Sequence, residues 1–136
     1  MKRVKISFVL LIASILSACA GHMTFIPRAG GQAVNATYQD GMGQTTINIV
    51  LPSGETLHGS LIWIPPGGGI STTIVSTGQG SAVASGMASG NKGMYVGSVV
   101  GDRGTNMRIE LLCNAWTGKC VGAGQTSDGV IYDIQR

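Results

Sequence analysis

Charged side chains make up only 11% of this 136-residue chain and aromatic ones only 5%, and the chain has just 2 histidines and 3 cysteines. Each shortage removes a class of chemistry. A metal centre needs His, Cys or carboxylate ligands gathered at short spacings. Here His22 and His58 stand alone, and Cys113 and Cys120 form a C-x6-C pair with no neighbouring His or third Cys, a poor zinc set. That spacing is not the C-x-x-C of a redox motif either. No G-x-S-x-G elbow and no P-loop occur, and Gly122-Ala123-Gly124 lacks the third glycine of a dinucleotide loop. Ser89-Gly90-Asn91-Lys92 spells S-x-x-K, but that chemistry needs the two side chains one helical turn apart. Gly90 and its glycine-rich flanks oppose a helix. The 6 Asp and Glu fall mostly at turns, a thin supply for paired-carboxylate catalysis. No catalytic residue, metal or cofactor is therefore expected. A hydrolase would have to place His58 beside a Ser and an acid in a concave site.

Long apolar runs are also missing. The longest, Ile6 to Leu16, is too short for a bilayer core of roughly 30 Å, which takes about 20 helical residues. Its setting gives it another meaning. Lys2, Arg3 and Lys5 precede it, and the small residues Ser17 and Ala18 follow, the order of an export signal spanning 1–18. The junction Leu16-Ser17-Ala18-Cys19 resembles the lipobox of bacterial lipoproteins. That resemblance implies that Cys19 receives a thioether-linked diacylglycerol and becomes the acylated first residue, palmitate being the usual chain type. One acyl chain holds a protein only marginally, whereas two or more hold it firmly. Ala20, rather than Asp, follows the cysteine, which by the same resemblance points to a bacterial outer-membrane location, lipid-anchored.

Removing 1–18 rewrites the charge. The chain counts 9 Lys and Arg against 6 acids, but Lys2, Arg3 and Lys5 leave with the signal. Arg28, Lys92, Arg103, Arg108, Lys119 and Arg136 then balance Asp40, Glu55, Asp102, Glu110, Asp128 and Asp133. Neutralising phosphates takes clustered cations, and these are scattered singly, so no nucleic-acid partner is expected. The membrane, through the N-terminal lipid, is the expected partner, with a protein of the envelope as a further candidate.

Residues 20–32, with Pro27 and Gly30-Gly31, lack periodicity and read as a tether, with Phe25 and Ile26 lying on the domain or on the lipid surface. From residue 33 to 136 the pattern is strands and turns. Ile47, Ile49 and Leu51 alternate with Thr46, Asn48 and Val50. Pro52-Ser53-Gly54-Glu55 makes a turn, and Leu57, Leu61 and Trp63 return on one face, with Trp63 expected in the core. The second hairpin pairs 94–100 with 106–113, where Met107, Ile109, Leu111 and Cys113 face inward while Arg108 and Glu110 face water. The third begins at Cys113 and Cys120 and ends on a strand over 129–134. Between the first two lies 67–93, rich in small residues, with strand-like stretches at 70–77 and 81–88 that fit either a sheet or a loop.

In an exported protein the compartment is oxidising, so Cys113 and Cys120 are expected to form a disulfide, contributing roughly 2.5 kcal/mol by closing a short loop. Trp116 sits at the tip of that loop. It is either an exposed anchor for a partner or a cover folded over the sheet edge. The run through Leu112-Cys113, Gly122-Ala123-Gly124 and Ser127 to Tyr132 resembles the ending of small bacterial outer-membrane lipoproteins of an uncharacterised all-β, disulfide-containing type. A more distant likeness is to lipid-anchored periplasmic inhibitors of lysozyme, whose inhibitory loops have no convincing copy here. The expected molecule is all-β: a small antiparallel β-barrel or sandwich of about 6–8 strands after a signal helix and a flexible tether. Its expected role is non-enzymatic binding or structure in the cell envelope, with inhibition of a wall-degrading enzyme as the alternative.

Overall fold

Alternation of apolar and polar residues with a period of two runs through nearly every segment, and each such segment is a strand in the computed structural model of the chain. The structure describes residues 20–67, 70–77, 80–87 and 90–136. The signal segment 1–18, Cys19 and Ser89 lie outside the described residues.

Ten strands follow in chain order: β1 (Ala20–Pro27), β2 (Val34–Asp40), β3 (Gln44–Val50), β4 (Thr56–Ile64), β5 (Ile70–Thr77), β6 (Gly80–Met87), β7 (Lys92–Gly101), β8 (Asn106–Asn114), β9 (Cys120–Thr126) and β10 (Ile131–Gln135). Eight of them form a closed antiparallel barrel in the order β1-β2-β3-β4-β7-β8-β9-β10, and β10 returns to pair with β1. The remaining two, β5 and β6, make a separate two-stranded hairpin inserted between β4 and β7. The all-β architecture is thus a barrel rather than a sandwich. Closure leaves it no unpaired edge.

Residues 20–27 correct the sequence reading. They form a barrel strand, not a tether, held on one side by β2 and on the other by β10. The barrel therefore includes Ala20–Pro27, ahead of residue 33, where the domain was expected to start. The physical reason is an alternation that Gly21 and Pro27 disguise. Met23 and Phe25 point inward and are fully buried, while His22 and Ile26 point outward and are exposed. Phe25 meets Tyr132 of β10 edge to face, with ring centroids 6.3 Å apart, a favoured aromatic geometry. Phe25 belongs to the core, and Ile26 stays at the surface.

Eight strands enclose a space that side chains fill without leaving a central channel. Met23, Phe25, Ile47, Ile49, Leu57, Leu61, Val99, Met107, Ile109, Leu111 and Ile134 fill it, each at most 1% exposed. Ile47 and Ile49 of β3, Leu57 and Leu61 of β4, and Met107, Ile109, Leu111 and Cys113 of β8 are buried as expected from sequence. Truncating one of them, such as Ile109→Ala, is expected to cost about 2–5 kcal/mol through lost transfer energy and the cavity left behind.

Within 67–93 the described stretches 70–77 and 80–87 are two paired strands, with Ile70 opposite Met87 and Thr77 opposite Gly80. Its first strand matches the stretch expected at 70–77, and its second runs over 80–87.

Candidate functional site

In an up-and-down barrel, chain parity decides which turns share an end. The start of β1, the β2–β3 turn at 41–43, the crossover into and out of the inserted hairpin, the β8–β9 loop at 115–119 and Arg136 all lie at one end. The turns at 28–33, 51–55, 102–105 and 127–130 lie at the other.

The first end is closed by an aromatic layer around one guanidinium. Arg136 stacks over the Tyr38 ring at 4.0 Å and reaches the Tyr95 ring at 5.5 Å, both cation–π distances. It also forms an ion pair with Asp40. Burial pulls its pKa down, but the hydrogen bond and charge of Asp40, with help from Tyr38, raise it overall, so the guanidinium stays charged. Its Nη1 is buried and has no hydrogen-bond partner among the described residues. Trp63 packs beside Tyr95, ring centroids 4.7 Å apart, and is half-buried at the mouth, not in the core. The tapering barrel leaves it there, because inward positions near the rim see solvent on one side.

Two glycines make this layer possible. A Cβ on Gly21 would stand 2.2 Å from the Tyr38 ring, and one on Gly93 would stand 2.1 Å from Trp63. Each ring lies flat over a glycine in the adjacent strand, which covers the backbone and fills the space a side chain would have taken.

The β8–β9 loop rises beside this layer. Cys113 and Cys120 face each other in register at its base and are joined by a disulfide. Asn114 stiffens the tip, its side-chain oxygen accepting from the Trp116 N–H at 2.9 Å and the Thr117 N–H at 3.2 Å. The Ala115 N–H donates to the Asn91 carbonyl at 2.8 Å, tying the loop to the start of β7. Trp116 therefore projects from a braced support and is 86% exposed. It does not fold over the sheet edge. Between loop and aromatic layer lies a cleft of about 340 Å³, bounded by Trp63, Pro66, Tyr95, Asn114 and Arg136.

A larger groove of about 700 Å³ runs along the outer wall, over the outward faces of β7 to β10. Met94, Leu112, Val121 and Ile131 form its floor, with Arg28, Arg108 and Glu110 around it. Arg108 donates to Glu110 at 3.1 Å, and Arg28 pairs with Asp133 at 2.8 Å. Both pairs are substantially exposed and contribute little to stability.

His58 stands on the outer face of β4, exposed and hydrogen-bonded to Asn48 across the β3–β4 pair, with Val100 opposite it on β7. Among the described residues, no group of three or more His, Cys, Asp or Glu is placed to hold a metal ion.

The opposite end has a different keystone, one that sequence reading took for a turn residue. Glu55 is buried and caps the β7–β8 turn. Its Oε1 accepts from the backbone N–H groups of Arg103 at 3.1 Å and Thr105 at 3.0 Å, and its Oε2 accepts from the Thr105 hydroxyl at 2.7 Å. The Thr105 hydroxyl bond is the largest cause of a pKa held below the ordinary value, with the two backbone donors and the Arg103 charge assisting against burial.

No family model matches the chain, no curated protein matches it, and no solved structure matches its fold. The class that can be stated is that of a small, closed, eight-stranded antiparallel β-barrel with one inserted hairpin and one disulfide.

Proposed function

We propose that the protein is a lipid-anchored component of the bacterial cell envelope, held to the outer membrane through acylated Cys19, with a binding or structural role and no catalysis. The observation that carries the proposal is where the chain invests its chemistry. The barrel interior is apolar and filled, and the polar groups at its ends serve turns and ion pairs. Beside them, large apolar groups face outward: Trp116 on its braced loop and the floor of the outer groove. Surfaces of that kind serve recognition. The only imidazole within the strands β2 to β10, His58, has an amide for a neighbour on a convex wall. The signal at 1–18 and the lipobox ending at Cys19 supply the address. The paired Cys113 and Cys120 suit the oxidising compartment that address implies.

Globomycin, which blocks the lipoprotein signal peptidase, tests the anchor. The expected result is accumulation of a longer precursor, together with loss of membrane partition in Cys19→Ser. An unchanged precursor size, or full membrane partition of the variant, would sink the assignment.

A further inference from the structure

The barrel has no spacer between its first strand and Cys19. Ala20 is both the residue after that cysteine and the first residue of β1, already paired with Gln39 of β2. One strand residue spans only about 3.3 Å. Whatever holds Cys19 therefore holds the rim of the barrel itself, and that rim differs from the far one.

We propose that the end of the barrel carrying Ala20 is a bilayer-docking face, with Trp116 and Met42 seated in the interfacial layer and Lys92 and Lys119 against anionic headgroups. The proposal rests on the reading of Cys19 as the acylated residue and adds an orientation to it.

Two independent observations support it. Among the described residues, the large apolar side chains exposed in turns are Met42, fully exposed, and Trp116, and strand parity puts both at this end. Tryptophan favours the membrane–water boundary, where its ring is buried and its N–H stays wet. The turns at the far end present Ser53, Asp102, Arg103, Ser127 and Asp128 instead. Charge is the second observation. The balance of cations and acids is neutral over residues 20–136 but unevenly placed. Lys92, Lys119 and Arg136 share the near end with the single acid Asp40. At the far end, Arg28, Arg103 and Arg108 are outnumbered by Glu55, Asp102, Asp128 and Asp133. A molecule polarised this way turns its positive end toward an anionic leaflet.

Trp116 is its own reporter. The processed, lipidated protein is reconstituted into phosphatidylethanolamine vesicles containing phosphatidylglycerol, with and without bromine on the acyl chains. Palmitate labelling of the same preparation reads the anchor. Bromine is expected to quench emission about twofold, as for a tryptophan at the interface, and Trp116→Phe is expected to lose most of that quenching. A tryptophan installed at the far end, Ala29→Trp in the Trp116→Phe background, is expected to emit unquenched. Labelled, vesicle-bound protein whose quenching is unchanged by Trp116→Phe overturns the docking face and leaves the anchor standing, with Trp116 then free for a protein partner. Equal quenching at 29 and 116 also overturns it. Absence of label overturns the anchor, and the orientation with it.

Discussion

At the end of the barrel away from Ala20, the turns are tied together by hydrogen bonds. Glu55 caps the β7–β8 turn, the Ser127 hydroxyl accepts from the Asn106 N–H at 3.2 Å, and the Thr126 hydroxyl accepts from the Val130 N–H at 3.0 Å. At the end carrying Ala20, closure comes from stacked rings over glycines, a guanidinium against two tyrosines, and a disulfide. Hydrogen-bonded turns present polar groups to water and bury little. Stacked rings and a braced tryptophan need an apolar surrounding and leave part of it uncovered. One end is closed by hydrogen-bonded turns, and the other by stacked rings and a disulfide.

The comparison can be broken first where packing is tightest. Gly93→Val puts atoms where the Trp63 ring lies, so it is expected to destabilise by about 1–3 kcal/mol, the cost of overpacking a filled site. Thermal unfolding measures the loss, and Gly93→Val combined with Trp63→Ala is expected to recover part of it. Reducing the Cys113–Cys120 disulfide is expected to cost about 2.5 kcal/mol in the chain-entropy estimate for so short a loop. The effect is readable in denaturant midpoints with and without reductant.

The far end answers to pH instead. The folded-state pKa of Glu55 lies below its ordinary 4.5, so its contribution is complete above that value and disappears as pH falls through the folded one. Glu55→Gln is expected to flatten that acid limb of the stability curve while leaving the disulfide effect intact. A variant that keeps the wild-type acid limb would show that the carboxylate does not cap the turn. The smallest stability change is expected at Trp116→Ala, within about 0.5 kcal/mol, because an exposed side chain buries nothing in the fold. A large loss there would mean that the tryptophan braces the loop.

Most of the hairpins could be read from the chain because their inward positions hold large apolar residues. Ile47 and Ile49, then Met107, Ile109 and Leu111, alternate without interruption. The eighth barrel strand could not be read in the same way. In β1, Gly21 and Pro27 occupy inward positions, so only Met23 and Phe25 carry the period, and two residues do not make a pattern. β2 (Val34–Asp40), which carries Tyr38 and Asp40, was not singled out as a strand either, and the two omissions hid much of the site. Without β1 the barrel does not close, and strand parity does not say that Met42, Trp116 and Ala20 share an end. Trp116 was legible as a loop residue, and Cys113 with Cys120 as a pair. Their relation to Arg136, Tyr38 and Asp40 was not, because those three are far apart in sequence and meet only across the closing strands. Glu55 was invisible for a related reason: a carboxylate after Pro-Ser-Gly looks like a solvated turn until the neighbouring turn is placed beside it.

Orientation, docking face and location all depend on what Cys19 carries. Tryptic digestion of the protein taken from membranes isolates the peptide ending at Arg28, and its mass reads that residue directly. The expected peptide begins at Cys19 and carries a diacylglyceryl thioether with an acylated amine. A peptide with a bare thiol at Cys19, or one that continues upstream of it, would contradict the account.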